Sequence, residues 1–190
     1  MKKYMKQLAL FAIPHSLVMI FCLIMIFTGL ASLFINGFAI DNEGKLYVGE
    51  GKTIHIFYQG LKVGKISMKS DAYSFVINSA NELIVATPST VYRMNTTGNI
   101  LEKWEDPVSE AYQKMRNSGT VVTTHNGDEY RKISEFGWPR IIKNGTEEVY
   151  RLSNLSFIVK ILLILCSISL FVNGAWLIHW CRKTGDGSVC

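Results

Sequence analysis

The sequence predicts a membrane-anchored all-β protein with two transmembrane helices, and three observations carry that fold class. Apolar residues crowd the two ends: Leu8 to Ile35 and Ile161 to Trp180 contain no Asp, Glu, Lys or Arg. Each run is long enough to cross a hydrocarbon layer of about 30 Å as a helix. The stretch between them breaks into short β-branched and aromatic pieces separated by Gly, Asn and Pro turns, the pattern of strands. Part of that stretch is written twice, because Phe38 and Phe75, Leu46 and Leu83, and Thr53 and Thr90 are each 37 positions apart.

Residues 1–7 form a basic tip carrying Lys2, Lys3 and Lys6, expected to stay in the cytoplasm. Residues 8–36 form the first transmembrane helix. Its apolar run exceeds the roughly 7–15 residue core of a cleaved signal peptide, so it is expected to remain as an anchor. Pro14 predicts a kink. His15 lies nine residues beyond Lys6 and Asn173 nine residues before Arg182, which puts both about 13 Å below the cytoplasmic boundary. At matched depth they are expected to hydrogen-bond across the helices, a contact worth about 0.6–2 kcal/mol. No intramembrane carboxylate accompanies them, which favours a helix–helix contact over a proton- or ion-handling pair.

Residues 37–154 form the extracytoplasmic domain, with units at 38–68, 75–104 and 120–151. In the first, strands at Lys45–Val48, Thr53–Tyr58 and Val63–Met68 alternate with turns at Asn42-Glu43-Gly44, Gly49-Glu50-Gly51 and Gln59-Gly60. The second has the same layout with one residue inserted before its last strand. A unit of about four short strands and roughly 40 residues resembles a β-propeller blade. The resemblance is to a class of repeat, since no Trp-Asp dipeptide marks a particular family. It implies antiparallel sheets stacked face to face. Three such units are fewer than the about four to eight that close a propeller, so either a sandwich-like stack or ring completion by further chains is expected.

One short helix, 107–118, is predicted between the second and third units, with Asp106 as cap, Pro107 in the first turn and Gly119 at the end. Val108, Ala111, Tyr112 and Met115 would share its packed face. Asn144-Gly145 repeats the place of Gln59-Gly60 after 85 positions, so the helix reads as an insertion. Residues 155–181 form the second transmembrane helix, with Lys160 at the outer boundary and Trp176, Trp180 and Arg182 at the inner one. Residues 182–190 are a cytoplasmic tail.

The net charge of +5 does not indicate nucleic acid. Between Gly37 and Asn154 there are 14 basic and 14 acidic residues, and the excess flanks the spans. None of the four cysteines, Cys22, Cys166, Cys181 and Cys190, lies in the exported domain, so disulfides cannot hold it together. No catalytic, cofactor-binding or metal-binding spacing occurs around His15, His55, His125 or His179. Asp41 to Gly44 lacks the ligand pattern of a calcium loop and is expected to be a turn. Phe136 and Trp138 lie in a predicted connection, where exposed aromatics suit a partner surface. The expected function is a non-enzymatic, membrane-anchored binding or scaffolding module in the cell membrane, with both termini cytoplasmic. Its expected partners are the lipid bilayer and either itself or another membrane protein. The alternative is an accessory subunit acting on a transporter or sensor through its transmembrane helices, and a hydrolase on the β domain ranks third.

Overall fold

The computed structural model describes the backbone of residues 2–135 and 138–184 and the side chains of 13–117, 119–135, 138–176, 178 and 179. The chain forms two units, Met1–Ala31 with Asn154–Cys190, and Ser32–Ser153. Helix α1 (Lys2–Phe27) ends well before residue 36, where the apolar run had placed its end. Gly29 takes φ +74 and the Ala31 N–H reaches back to the Met25 carbonyl at 3.0 Å, a left-handed helix ending that suits glycine. The apolar run continues through a non-helical link, residues 28–34, into the first strand, so hydropathy alone could not show the change.

The β unit holds three sheets. The first contains β1 (Ile35–Ile40), β2 (Leu46–Glu50), β3 (Thr53–Tyr58) and β4 (Leu61–Ser67). The second contains β5 (Ser74–Ile77), β6 (Leu83–Ala86), β7 (Thr90–Met94) and β8 (Ile100–Glu105). After α2 (Glu110–Ser118), the third contains β9 (Val121–Thr123), β10 (Glu129–Glu135), β11 (Trp138–Lys143) and β12 (Glu147–Arg151). Each is a four-stranded antiparallel meander with its strands in chain order, the build of a propeller blade.

The repeat extends to the pairing register. Phe38 faces Val48 and Leu46 faces Phe57, while 37 positions on Phe75 faces Val85 and Leu83 faces Met94. All three sheets carry an irregularity between their third and fourth strands, at Ile56/Phe57, Arg93/Met94 and Ile141/Ile142. Gln59-Gly60 (φ 50 and 78) and Asn144-Gly145 (φ 49 and 80) are two-residue turns with both residues left-handed, the twist a hairpin prefers. Asp41 is occupied by its own turn, its Oδ1 accepting from the N–H groups of Glu43 and Lys45 at 2.9 and 2.8 Å.

Burial explains how the sheets stack. Side chains alternate across a strand, and β2 directs Leu46 and Val48 into a core with Phe38, Ile141 and Leu152. Tyr47 enters another core with Ile54, Phe75, Leu83 and Val85. The first sheet therefore lies between the third and the second, with β1 and β2 covered on both faces. The Tyr47 hydroxyl donates to Asp41 Oδ2 at 3.1 Å; burial and then the Asp41 charge push its ionisation upward. On the other face of the third sheet Arg140 pairs with Glu135 and Glu148 at 2.7 and 3.4 Å. Arg151 pairs with Glu148 at 3.6 Å, and Arg131 with Glu129 at 2.9 Å.

Helix α2 starts at Glu110, later than the expected Pro107. Ser109 is left-handed with φ 57, which confines Pro107 and Val108 to a turn and leaves Val108 76% exposed. Asp106 still caps, its Oδ2 accepting from the Ala111 N–H at 2.9 Å. Helix α3 (Asn154–Thr184) packs with α1 through Cys22, Ala31 and Val159. Among the described residues one stretch, Asn154–Trp176, is long and apolar enough to cross a membrane, and α1 contributes a shorter apolar stretch, Ile13–Phe27. The expected tail beyond residue 184 lies outside the described residues.

A Cβ at Gly49 would lie 2.9 Å from Phe75 Cε1 and 3.0 Å from Tyr73 Oη, too close for either buried ring. Gly49→Ala should therefore cost about 1–3 kcal/mol by overpacking, read as a lowered thermal midpoint. An unchanged midpoint would show that the contact between first and second sheets is looser than described.

Candidate functional site

The sheet irregularities are 37 and then 48 positions apart, so the third unit is delayed by 11 residues relative to the repeat. Those residues supply α2, which no sheet needs for its hydrogen bonds. The helix packs on β5 and β6. Its start is tied down by the Ser109 hydroxyl donating to the Pro88 carbonyl and the Asp106 N–H donating to the Ser89 carbonyl at 3.0 Å. Ala111, Tyr112 and Met115 are half-buried, and Gln113, Arg116 and Asn117 stand exposed. Between α2 and the Pro88 turn runs an open groove of about 450 Å³ lined by Pro88, Ser109, Tyr112, Gln113, Arg116 and Asn117. Its polar side chains donate and accept hydrogen bonds, and its one formal charge is the Arg116 guanidinium.

The electrostatics there differ from the rest of the unit. Arg93, Arg131, Arg140 and Arg151 each pair with a carboxylate, whereas Arg116 has no carboxylate within ion-pair distance among the described residues. Its charge acts on another cation, Lys132. Lys132, half-buried on β10, donates to the Ile35 carbonyl at 3.4 Å. Burial and then repulsion from Arg116 lower its ionisation.

Two other titratable groups are shifted at the first sheet. Glu50, at the end of β2, is pushed up to about 7 by burial, which the Lys62 charge only partly opposes. His55 on β3 is lowered to about 4 by burial and then by Lys62 and Lys65. Its Nδ1 is buried without a hydrogen-bond partner, and its ring meets Phe57 edge-on at 6.4 Å. No group of three or more His, Cys, Asp or Glu side chains is placed to hold a metal ion among the described residues.

The residues expected from the sequence fall as follows. His15 Nε2 lies 2.8 Å from Ser169 Oγ, and Asn173 Nδ2 donates to the Ser169 carbonyl at 2.8 Å and lies 3.3 Å from Ser169 Oγ. The two named side chains are thus joined through Ser169. Pattern reading passed over Ser169 because helical serines usually bond their own backbone; one turn before Asn173, it was within reach of a depth argument. Phe136 lies outside the described residues. Trp138 opens β11 and pairs directly with Glu135, so it sits in a strand and not in a long connection. It is half-buried against the first-sheet core, its Nε1 donates to the Leu152 carbonyl at 3.1 Å, and the Arg151 guanidinium stacks 5.5 Å from its ring. Arg116 and Glu50 escaped the sequence reading. The signal for Arg116 was its place in the insertion; Glu50 looked like one more turn residue.

No protein-family model matches the chain, and no curated protein matches it. Solved structures with some likeness include a protein of unknown function from Bacteroides caccae, 13% identical with a TM-score of 0.33, covering 63% of this chain and 45% of that one. A catalytically inactive virginiamycin B lyase from Staphylococcus aureus, solved with quinupristin, is 11% identical with a TM-score of 0.34, covering 60% and 39%. The extracellular domain of a hybrid two-component system from B. thetaiotaomicron is 11% identical with a TM-score of 0.27, covering 66% and 23%. The chain spans less than half the length of each.

Glu50 and His55 load the pH profile in opposite senses. The Glu50 carboxyl titrates near 4.5 when unfolded and about 7 when folded, so its stability term is full below 4.5 and lost as pH rises through 7. His55 titrates near 6.5 unfolded and about 4 folded, so its term is full above 6.5 and lost as pH falls through 4. Each is worth about 1–3 kcal/mol after allowance for partial exposure. Glu50→Gln should therefore stabilise the protein relative to wild type above pH 7, and His55→Gln below pH 4, in denaturation midpoints followed across pH. Parallel profiles for all three proteins would contradict the shifts. Separately, His15→Leu should weaken the helix pair by about 0.6–2 kcal/mol, and Ser169→Ala should do the same; an unchanged pair in both variants would remove the contact from the account.

Proposed function

We propose that this chain is a membrane-anchored, non-enzymatic binding module whose β unit lies outside the cell membrane, with two transmembrane helices and both termini cytoplasmic. The observation that carries the reading is the surface of the long helices. Leu17, Ile20, Phe21, Ile24 and Phe27 on α1 and Ile161, Ile164, Leu165, Ile168 and Phe171 on α3 are exposed, Phe27 and Phe171 at 82% and 78%. Apolar bands of this extent are costly in water, and a hydrocarbon phase removes the cost while the helices satisfy their own backbone groups. Lys2, Lys3, Lys6, Arg182 and Lys183 favour an inside location for both chain ends.

Binding is assigned to the β unit because its longest departure from the repeat is an exposed helix beside a polar groove. Inserted segments on a rigid scaffold are where recognition concentrates. Ring completion by a second copy fits less well. A blade stacked on the open face of the third sheet would desolvate the ion pairs of Arg131, Arg140 and Arg151, a cost that pairing seldom returns. The contact of His15, Ser169 and Asn173 favours a second reading, an accessory subunit that acts through its helices. Exchange of both helices for unrelated apolar spans should spare a binding module and abolish such a subunit.

Topology is tested by Lys69→Cys in a chain whose native cysteines are replaced by serine. A membrane-impermeant maleimide should label it in intact cells. Labelling only after permeabilisation would place the β unit inside and end the reading.

A further inference from the structure

Building on the binding-module reading, we infer that the groove beside α2 is a site for a small hydroxylated anion, a sugar acid or sugar phosphate, held through Arg116. Three observations converge on it. The groove, about 450 Å³ and open, falls in the size range of small-ligand sites, about 300–1,000 Å³. Its lining combines a guanidinium with the Tyr112 hydroxyl and the carboxamides of Gln113 and Asn117, the Ser109 hydroxyl being already bonded to the Pro88 carbonyl. A guanidinium fork matches a carboxylate or phosphate in two parallel hydrogen bonds, and the hydroxyl and amide groups match a polyol.

The second observation is charge. The other arginines of the β unit, Arg93, Arg131, Arg140 and Arg151, are held by carboxylates. The charge of Arg116 instead acts on another cation, the half-buried Lys132, whose ionisation is lowered by burial and then by Arg116. Two like charges left together are relieved by an anion between or beside them. The third is position. The groove is built on the 11 residues that the repeat does not require, on a helix anchored at its start by Asp106 and Ser109. Anchoring keeps Gln113, Arg116 and Asn117 along one exposed stretch, within about one turn of each other.

The test is isothermal titration of the full-length protein in detergent micelles with glucuronate and with glucose 1-phosphate, against glucose and inorganic phosphate. The expected result is binding of at least one sugar anion, no detectable binding of glucose, and weaker binding of phosphate alone. Arg116→Gln should weaken that binding by about tenfold or more with an unchanged thermal midpoint, because the side chain is exposed. Lys132→Gln should weaken it less. Failure of both sugar anions to bind wild type, or equal affinity in Arg116→Gln, overturns the site. The two readings fail separately: Arg116-dependent binding with the probe consumed on incubation would uphold the site and overturn the non-enzymatic assignment.

Discussion

The structure depends on the first two strands of the first sheet being buried on both faces. In β2 no residue from Leu46 to Gly49 is free to face water: Leu46 and Val48 belong to the third sheet's side and Tyr47 to the second's, all under 9% exposed. A slip of one residue would exchange the two sets, putting the Tyr47 hydroxyl among Ile141 and Leu152 and leaving Asp41 buried without it. Register is thereby specified twice over. Polar clamps reinforce it at the rims, where Asn36 Nδ2 reaches the Gly51 and Asp71 carbonyls at 3.0 and 2.8 Å. The Asn42 N–H likewise reaches Asn81 Oδ1 at 3.0 Å. With no cysteine in this unit, these contacts do what disulfides do in many small exported domains.

A central sheet with two covered faces leaves function to the outer ones. The third sheet's outer face is closed to chemistry by its own ion pairs, which neutralise each arginine locally. The second sheet carries α2 on β5 and β6, and that helix bears Arg116, the arginine of the β unit with no ion pair among the described residues. Scaffold and site are thus separated along the chain: the parts that repeat at 37 positions carry the core, and the part that breaks the period carries the groove. Glu50 and His55 show what the scaffold costs, since burying a carboxyl and an imidazole beside Lys62 and Lys65 stores opposing pH sensitivities in one sheet.

Much of this was legible beforehand, and the reasons are physical. The period survives because turn and core positions constrain residue type: Phe38 and Phe75 fill equivalent core places, and Gln59-Gly60 and Asn144-Gly145 need residues that tolerate positive φ. The insertion was legible as a break in that period. What escaped depends on neighbours distant in sequence. The end of α1 is set by Gly29 inside an unbroken apolar run, so composition could not mark it. The left-handed Ser109 moved the start of α2 past Pro107, and the Val108 expected on its packed face became exposed. Trp138 looked like loop because Glu135-Phe136-Gly137-Trp138 has no strand alternation, yet the pairing of Glu135 with Trp138 makes the link only two residues. Beyond its place in the insertion Arg116 has no signature in the sequence, because what distinguishes it is that no carboxylate pairs with it among the described residues.

The most direct measurement of the central claim is amide hydrogen exchange across the β unit. If the doubly covered sheet holds the unit together, the amides of Tyr47, Val48, Ile54 and Ile56 should exchange slowest and only through global unfolding, with those of α2 and β8 exchanging earlier by local opening. Exchange of the first-sheet amides as fast as those of α2, with the slowest set confined to β10 and β11, would contradict it.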